Sequence, residues 1–175
     1  MVEPATIDLT EAAGFGAFYA DALPRVYGYF LCRCGGDRAL AEDLTQETFM
    51  AGVRELHRGS SISAPTAWIL GIARHKLVDH YRRHEREQRK LEAIGGAAET
   101  DVSLEWGNEE CRQLAIEALS VVAAPQRAAL VLHYLDGFPV AEVAGMLGKS
   151  EHAIESLLAR GRQSFRRAYQ EALDA

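Results

Sequence analysis

VAEVAGMLGKSEHAIESLLARGR, residues 140–162, has the build of two helices joined through a tight turn. Ala144 is small where two helices would cross, Gly148 supplies the positive φ a turn needs, and Ser150 is suited to cap the second helix. Ile154, Leu157 and Leu158 share a face that would pack back on Val143 and Leu147. Two readings fit: a helical hairpin whose apolar stripe is only core, or a helix-turn-helix whose second helix lays its N-terminal turns in a major groove. In the second reading His152, Ser156 and Glu155 face bases, while Arg160, Arg166 and Arg167 lie toward phosphates. Glu155 opposes the phosphate charge, yet a carboxylate accepts a hydrogen bond from a cytosine amino group.

Upstream, apolar residues recur at helical spacing and alternating strand patterns are nearly absent, which predicts an all-α chain. Helices are expected over 12–33, interrupted by Pro24 and stopped by Gly35-Gly36, and over 38–57, with Asp37 placed to cap. A further long helix is expected over 66–90, after the break at HRGSSISAP. Residues 91–108, rich in Gly, Ala and acids and without Lys or Arg, read as a linker. Beyond it come helices over 109–122 and 125–135, the turn Asp136-Gly137-Phe138-Pro139, and the pair quoted above, ending near residue 173. The 175 residues therefore suit two small helical domains, 12–90 and 109–173, joined by an acidic linker.

The net charge of −6 is unevenly spread. Residues 71–90 hold 7 Lys+Arg against 3 Asp+Glu, whereas residues 91–125 hold 1 against 7. A compact basic segment between acidic ones suggests a polyanion contacted locally by a protein that is not sticky overall. Rotating 100° per residue, Trp68, His75, Lys76, Asp79, Arg82, Arg83 and Arg86 share one side of this helix, opposite Ile69, Leu70, Ala73, Leu77 and Tyr81. Basic charge with an aromatic at one end fits a nucleic-acid track, and Trp68 could stack on an unpaired base; a solvated face and a core tryptophan are the plainer readings.

In the helix over 38–57, Leu44, Thr48, Phe49, Val53 and Leu56 fall in one arc, with Asp43, Gln46, Glu47, Met50 and Arg54 opposite. The acidic and amide face suits a basic docking partner better than acid/base catalysis, since no nucleophile or ligand cluster accompanies it. His80 and His84 stand at i, i+4 spacing without a third metal ligand, so neither metal nor cofactor is expected. Cys32, Cys34 and Cys111 are an odd number without CxxC spacing and read as reduced thiols. No apolar run reaches the roughly 18–20 residues a bilayer requires, and the N-terminus lacks a basic-then-apolar leader. A cytoplasmic protein without membrane insertion is expected.

DRALAEDLTQETF, then PTAWILGIARHKLVDHYRRHER, then PQRAALVLHYLDGFPVAEVAGMLGKSEHAIESLLARGR together resemble the extracytoplasmic-function (ECF) class of bacterial RNA polymerase sigma factors over roughly residues 14–170. The resemblance implies that Asp43, Leu44, Gln46, Glu47 and Phe49 belong to the helix docking the β′ clamp helices of core polymerase, Leu44 and Phe49 holding it from within. It implies that the loop with Ser60, Ser61, Ile62, Ser63 and Ala64 captures a flipped base of the −10 element. Trp68, Arg74, His75, Lys76, Asp79, Arg82 and Arg83 would take part in melting and DNA contact. Ser150, His152, Ala153, Glu155, Ser156 and Arg160 would sit on the helix reading the −35 element, in a domain that also docks the β flap. The linker, with Glu92, Glu99, Asp101 and Glu105, would thread a basic polymerase channel, or serve as a plain solvated tether. Family habit adds a separate anti-sigma protein.

The chain departs from many relatives at His75, where Asn is usual, and at Ala153, Glu155 and Leu157, where Thr, Lys and Arg are frequent. The expected function is promoter-specific initiation by a subunit without catalytic activity. Two alternatives share the features: a sigma-like mimic that sequesters an anti-sigma factor, and an autonomous helix-turn-helix regulator. The mildly acidic chain disfavours the second, because phosphate neutralisation supplies most non-specific affinity.

Overall fold

The computed structural model describes residue 9 and residues 11–59, 62–89 and 109–174. Among these residues every regular element is helical: α1 (Ala12–Arg33), α2 (Arg38–His57), α3 (Pro65–Arg89), α4 (Glu109–Val121), α5 (Ala124–Leu130), a π-helical turn (Val131–Leu135), α6 (Val140–Leu147) and α7 (Glu151–Leu173). The expected linker, 91–108, lies outside the described residues. The chain forms two compact units, one of residues 1–31 and 38–77, the other of residues 32–37 and 78–175.

In the first unit Phe18, Ala22, Val26 and Phe30 of α1, Leu44, Phe49 and Leu56 of α2, and Ile69, Ala73 and Leu77 of α3 are buried. Burial of each large side chain contributes roughly 1.5–3 kcal/mol. Thr45 and Thr48 also lie inside, and their hydroxyls donate back to the carbonyls of Ala41 (2.6 Å) and Leu44 (2.7 Å), so neither is left unsatisfied. Gly52 is fitted to its place: a Cβ there would meet both Ile69 and Trp68 at 3.1 Å.

The second unit is organised on α7, which packs against α4, α5 and α6. Ala128, Ala129, Ala144, Ala159 and Ala168 are buried, small residues that bring helix axes close. Residues 125–135 were expected as one helix, and the structure divides them. The Asp136 N–H donates to the Val131 carbonyl (3.0 Å) and the Phe138 N–H to that of Leu132 (3.0 Å), with Gly137 at φ 75° between them. These bonds span five and six residues, where an α-helical bond spans four, and they accompany three consecutive buried side chains, Leu130, Val131 and Leu132.

Candidate functional site

On α2 the buried and exposed residues separate as the 100° rotation requires. Leu44 and Phe49 are 5% and 6% exposed, so they anchor the helix, while Asp43, Gln46 and Met50 face solvent. Val53 is only half-buried. Glu47 is partly covered, and its Oε2 lies 3.2 Å from Lys76 Nζ of α3. Beside Gln46 a cavity of about 430 Å³ opens between α1 and α2, lined among others by Tyr19, Leu23, Tyr27, Thr45 and Phe49.

Ser60 and Ser61 lie outside the described residues; Ser63 and Ala64 are exposed and Ile62 is half-buried, ahead of α3. On α3 the apolar side is inward at Ile69, Ala73, Leu77 and Tyr81, which are buried, whereas Leu70, expected with them, is only half-buried. Arg74, His75, Asp79 and Arg83 are exposed, and Lys76 and Arg82 half-buried. Trp68 is half-buried and held at both ends: its Nε1–H donates to Glu55 Oε2 (2.9 Å), and its ring lies 6.4 Å from that of Phe18. Sequence reasoning missed Glu55, which lies on a different helix and carries no local sign of its partner. His80 and His84 stack at 6.0 Å; burial, then the charge on His84, lowers the His80 pKa from 6.5.

Within the second unit Arg82 donates to the carbonyls of Met146 and, at 3.2 Å, Gly145, at the C-terminal end of α6. Carbonyls of a last helical turn are short of backbone donors and carry the negative end of the helix dipole, so a guanidinium suits them even where, as at Gly145, a long capping bond is also made. Lys149 of the following turn pairs with Glu85. Neither contact was legible from local sequence.

The turn itself is built as expected. Gly148 at φ 65° closes α6, with the Lys149 N–H donating to the Ala144 carbonyl (2.9 Å) and the Gly148 N–H to that of Gly145 (3.4 Å). Ser150 Oγ then accepts from the Ala153 N–H (3.2 Å) and caps α7. Val143, Leu147, Ile154, Leu157 and Leu158 are all buried, which fixes what points outward. His152 and Glu155 have side chains 95% and 57% exposed, with His152 Nδ1 3.8 Å from Glu155 Oε2. Ala153, Ser156 and Arg160 are half-buried, and Arg160 Nε donates to the Ser156 carbonyl (3.3 Å). Arg166 and Arg167 are exposed farther along.

Cys32 is half-buried and Cys34 buried. Burial pushes the Cys34 thiol up to about 12 and raises that of Cys32, outweighing the nearby arginines, so neither is a ready nucleophile. Among the described residues no group of three His, Cys, Asp or Glu gathers as a metal site, and no helix is long and apolar enough to cross a membrane.

Two protein families match in succession, Sigma-70 region 2 over residues 18–87 and Sigma-70 region 4 over residues 112–165. ECF RNA polymerase sigma factor BldN of Streptomyces coelicolor is 34% identical over 157 residues, covering 84% of this chain and 57% of that protein. ECF RNA polymerase sigma factor SigM of Bacillus subtilis is 30% identical over 141 residues, 80% of this chain and 86% of that one. Among solved structures, sigma factor RpoE of Bartonella quintana, in complex with the anti-sigma factor NepR, aligns with a TM-score of 0.50 at 22% identity. That alignment covers 89% of this chain and 96% of the other, and it bears on the fold alone.

Proposed function

Because the chain belongs to the ECF class of RNA polymerase sigma factors, the non-enzymatic subunits that direct promoter-specific transcription initiation, we propose a division of that task among its surfaces. Residues 12–90 form the domain that docks polymerase and opens the −10 element, 91–108 the connector, and 109–173 the domain that reads the −35 element. Asp43, Gln46 and Glu47 meet the β′ clamp helices, and Leu44 and Phe49 keep that face in register from beneath.

Ser60, Ser61, Ile62 and Ser63 hold an unpaired −10 base, and Trp68, Arg74, His75, Lys76, Asp79, Arg82 and Arg83 line the strand's path. Trapping that base offsets the few kcal/mol that unstacking costs. Ser150, His152, Ala153, Glu155, Ser156 and Arg160 face the −35 duplex, and the same domain meets the β flap. A separate anti-sigma protein covering these surfaces, and action in the cytoplasm, complete the reading.

The observation that carries it is the clean division of α2: two buried apolar anchors beneath exposed Asp43 and Gln46. The test is size exclusion of the purified chain with bacterial core polymerase beside Asp43→Arg/Glu47→Arg. Co-elution of the wild type alone supports the docking face. Since Glu47→Arg also confronts Lys76, the single change Asp43→Arg at an exposed position is run in parallel, with circular dichroism to establish folding. Equal co-elution of folded variants and wild type would remove α2 from the interface.

A further inference from the structure

Resting on the placement of α7 against the −35 element, we infer that Glu155, together with His152, reads one C·G base pair and sets the sequence preference there. The capped turn and the buried stripe of Ile154, Leu157 and Leu158 leave little choice about which side chains of the first two turns point away from the domain. Taking His152 as reference, rotation places Ser156 about 40° to one side, Glu155 about 60° to the other, and Glu151 about 100° away toward the flank. Ala159, one turn beyond Glu155, is buried, so the outward polar groups of this tip are His152, Glu155 and the half-buried Ser156.

Chemistry then narrows what they read. Residues 150–159 contain no Lys, Arg, Asn or Gln, the side chains that recognise guanine or adenine through two hydrogen bonds. An ionised Glu155 only accepts, and the major groove offers just two donors, the amino groups of cytosine and adenine. Adenine places its N7 lone pair beside that amino group, where a carboxylate is repelled; cytosine has no acceptor on its groove edge. The guanine paired with that cytosine presents O6 and N7, acceptors that need a donor. His152 supplies a ring N–H, and its Nδ1 lies 3.8 Å from the Glu155 carboxylate. An acceptor and a donor side by side match the donor and acceptors of a C·G edge.

The competing account is that Glu155 merely repels phosphate and lowers affinity for all DNA. Transcription by holoenzyme, reconstituted from the full chain and bacterial core polymerase, separates the two. The templates carry randomised −35 and −10 windows, and their transcripts are sequenced. The wild type should favour C·G at one −35 position by about 10-fold or more. Glu155→Gln should shift that position toward A·T, since glutamine pairs with adenine N6 and N7, and His152→Ala should weaken the C·G preference.

A C·G preference that survives Glu155→Gln, or a gain spread evenly over every sequence, overturns the inference while leaving the −35 assignment intact. Selection in the −10 window without any in the −35 window overturns that assignment as well. Absence of selection in both would count against the initiation function itself. Both side chains are exposed, so neither variant threatens the fold.

Discussion

Gly161 sits where α7 crosses α5, and replacing it with alanine sets two known effects against each other. Alanine removes the conformational cost of glycine in a helix interior, a gain of about 1 kcal/mol. Its Cβ would however stand 3.0 Å from Leu130 Cγ, 3.1 Å from Leu130 Cδ1 and 3.2 Å from Gln126 Cβ. Carbon atoms rest at about 3.5–4.0 Å, so each of the three atoms would have to give by about 0.3–1 Å. Leu130 is itself buried and has little room to turn.

Overpacking of this kind costs about 1–3 kcal/mol, and three simultaneous overlaps argue for the upper part of that range. Gly161→Ala should therefore destabilise the second unit by about 1–2 kcal/mol. Native-state hydrogen exchange by mass spectrometry measures this locally: amides of α5 and α7 should exchange about 5–30-fold faster, while α2 serves as an internal control. In a Leu130→Ala background two of the three obstructing atoms are gone and only Gln126 Cβ, at 3.2 Å, remains, so the same substitution should cost much less. Slower exchange in Gly161→Ala, or a cost undiminished without the leucine, would refute the steric argument.

Three other outcomes are expected. Gly148→Ala should lower stability by about 1–2 kcal/mol, because a left-handed residue with a Cβ is strained, and Gly148→Asn should fall between the two; thermal melting that ranks alanine with glycine would contradict this. Trp68→Phe loses the hydrogen bond to Glu55 and should cost about 1 kcal/mol in urea unfolding followed by circular dichroism, whereas Glu55→Gln, which keeps an acceptor, should cost less. Stability should also fall at both ends of the pH scale.

Below pH 6.5 His80 protonates more readily in the unfolded chain, and above pH 9.0 the unfolded Cys34 thiol ionises while the folded one, at about 12, does not. The acid loss continues as pH falls through the lowered His80 value. Urea midpoints from pH 5.5 to 10.5 test both, and His80→Gln and Cys34→Ala should each flatten one limb.

Most of the fold was legible because its punctuation is chemical. Gly35-Gly36, Pro65, Gly148 and Ser150 act within a residue or two of themselves, and the helices they bound begin and end where those residues placed them. The π-helical turn escaped notice because VLHYL has ordinary helical composition; its widened ring shows only in where the Asp136 and Phe138 amides donate. The site divided in the same way. Exposure of Asp43, His75 or His152 follows from rotation about a helix axis. The partners of Trp68, Lys76 and Arg82 depend on which other helix lies alongside, and periodicity within one segment carries no record of that.

The shortness of the α7 tip limits how much of an address it can spell. A genome offers about 10⁶ or more competing positions, and singling out one of them takes about ten fully specified base pairs. Three polar side chains supply only a fraction of that information, since each settles at most one pair. The remainder must be written elsewhere in the promoter, in the −10 bases and in the distance between the two elements. Recognition then works as a conjunction of two weak statements, and neither half-site alone would be mistaken for a start signal.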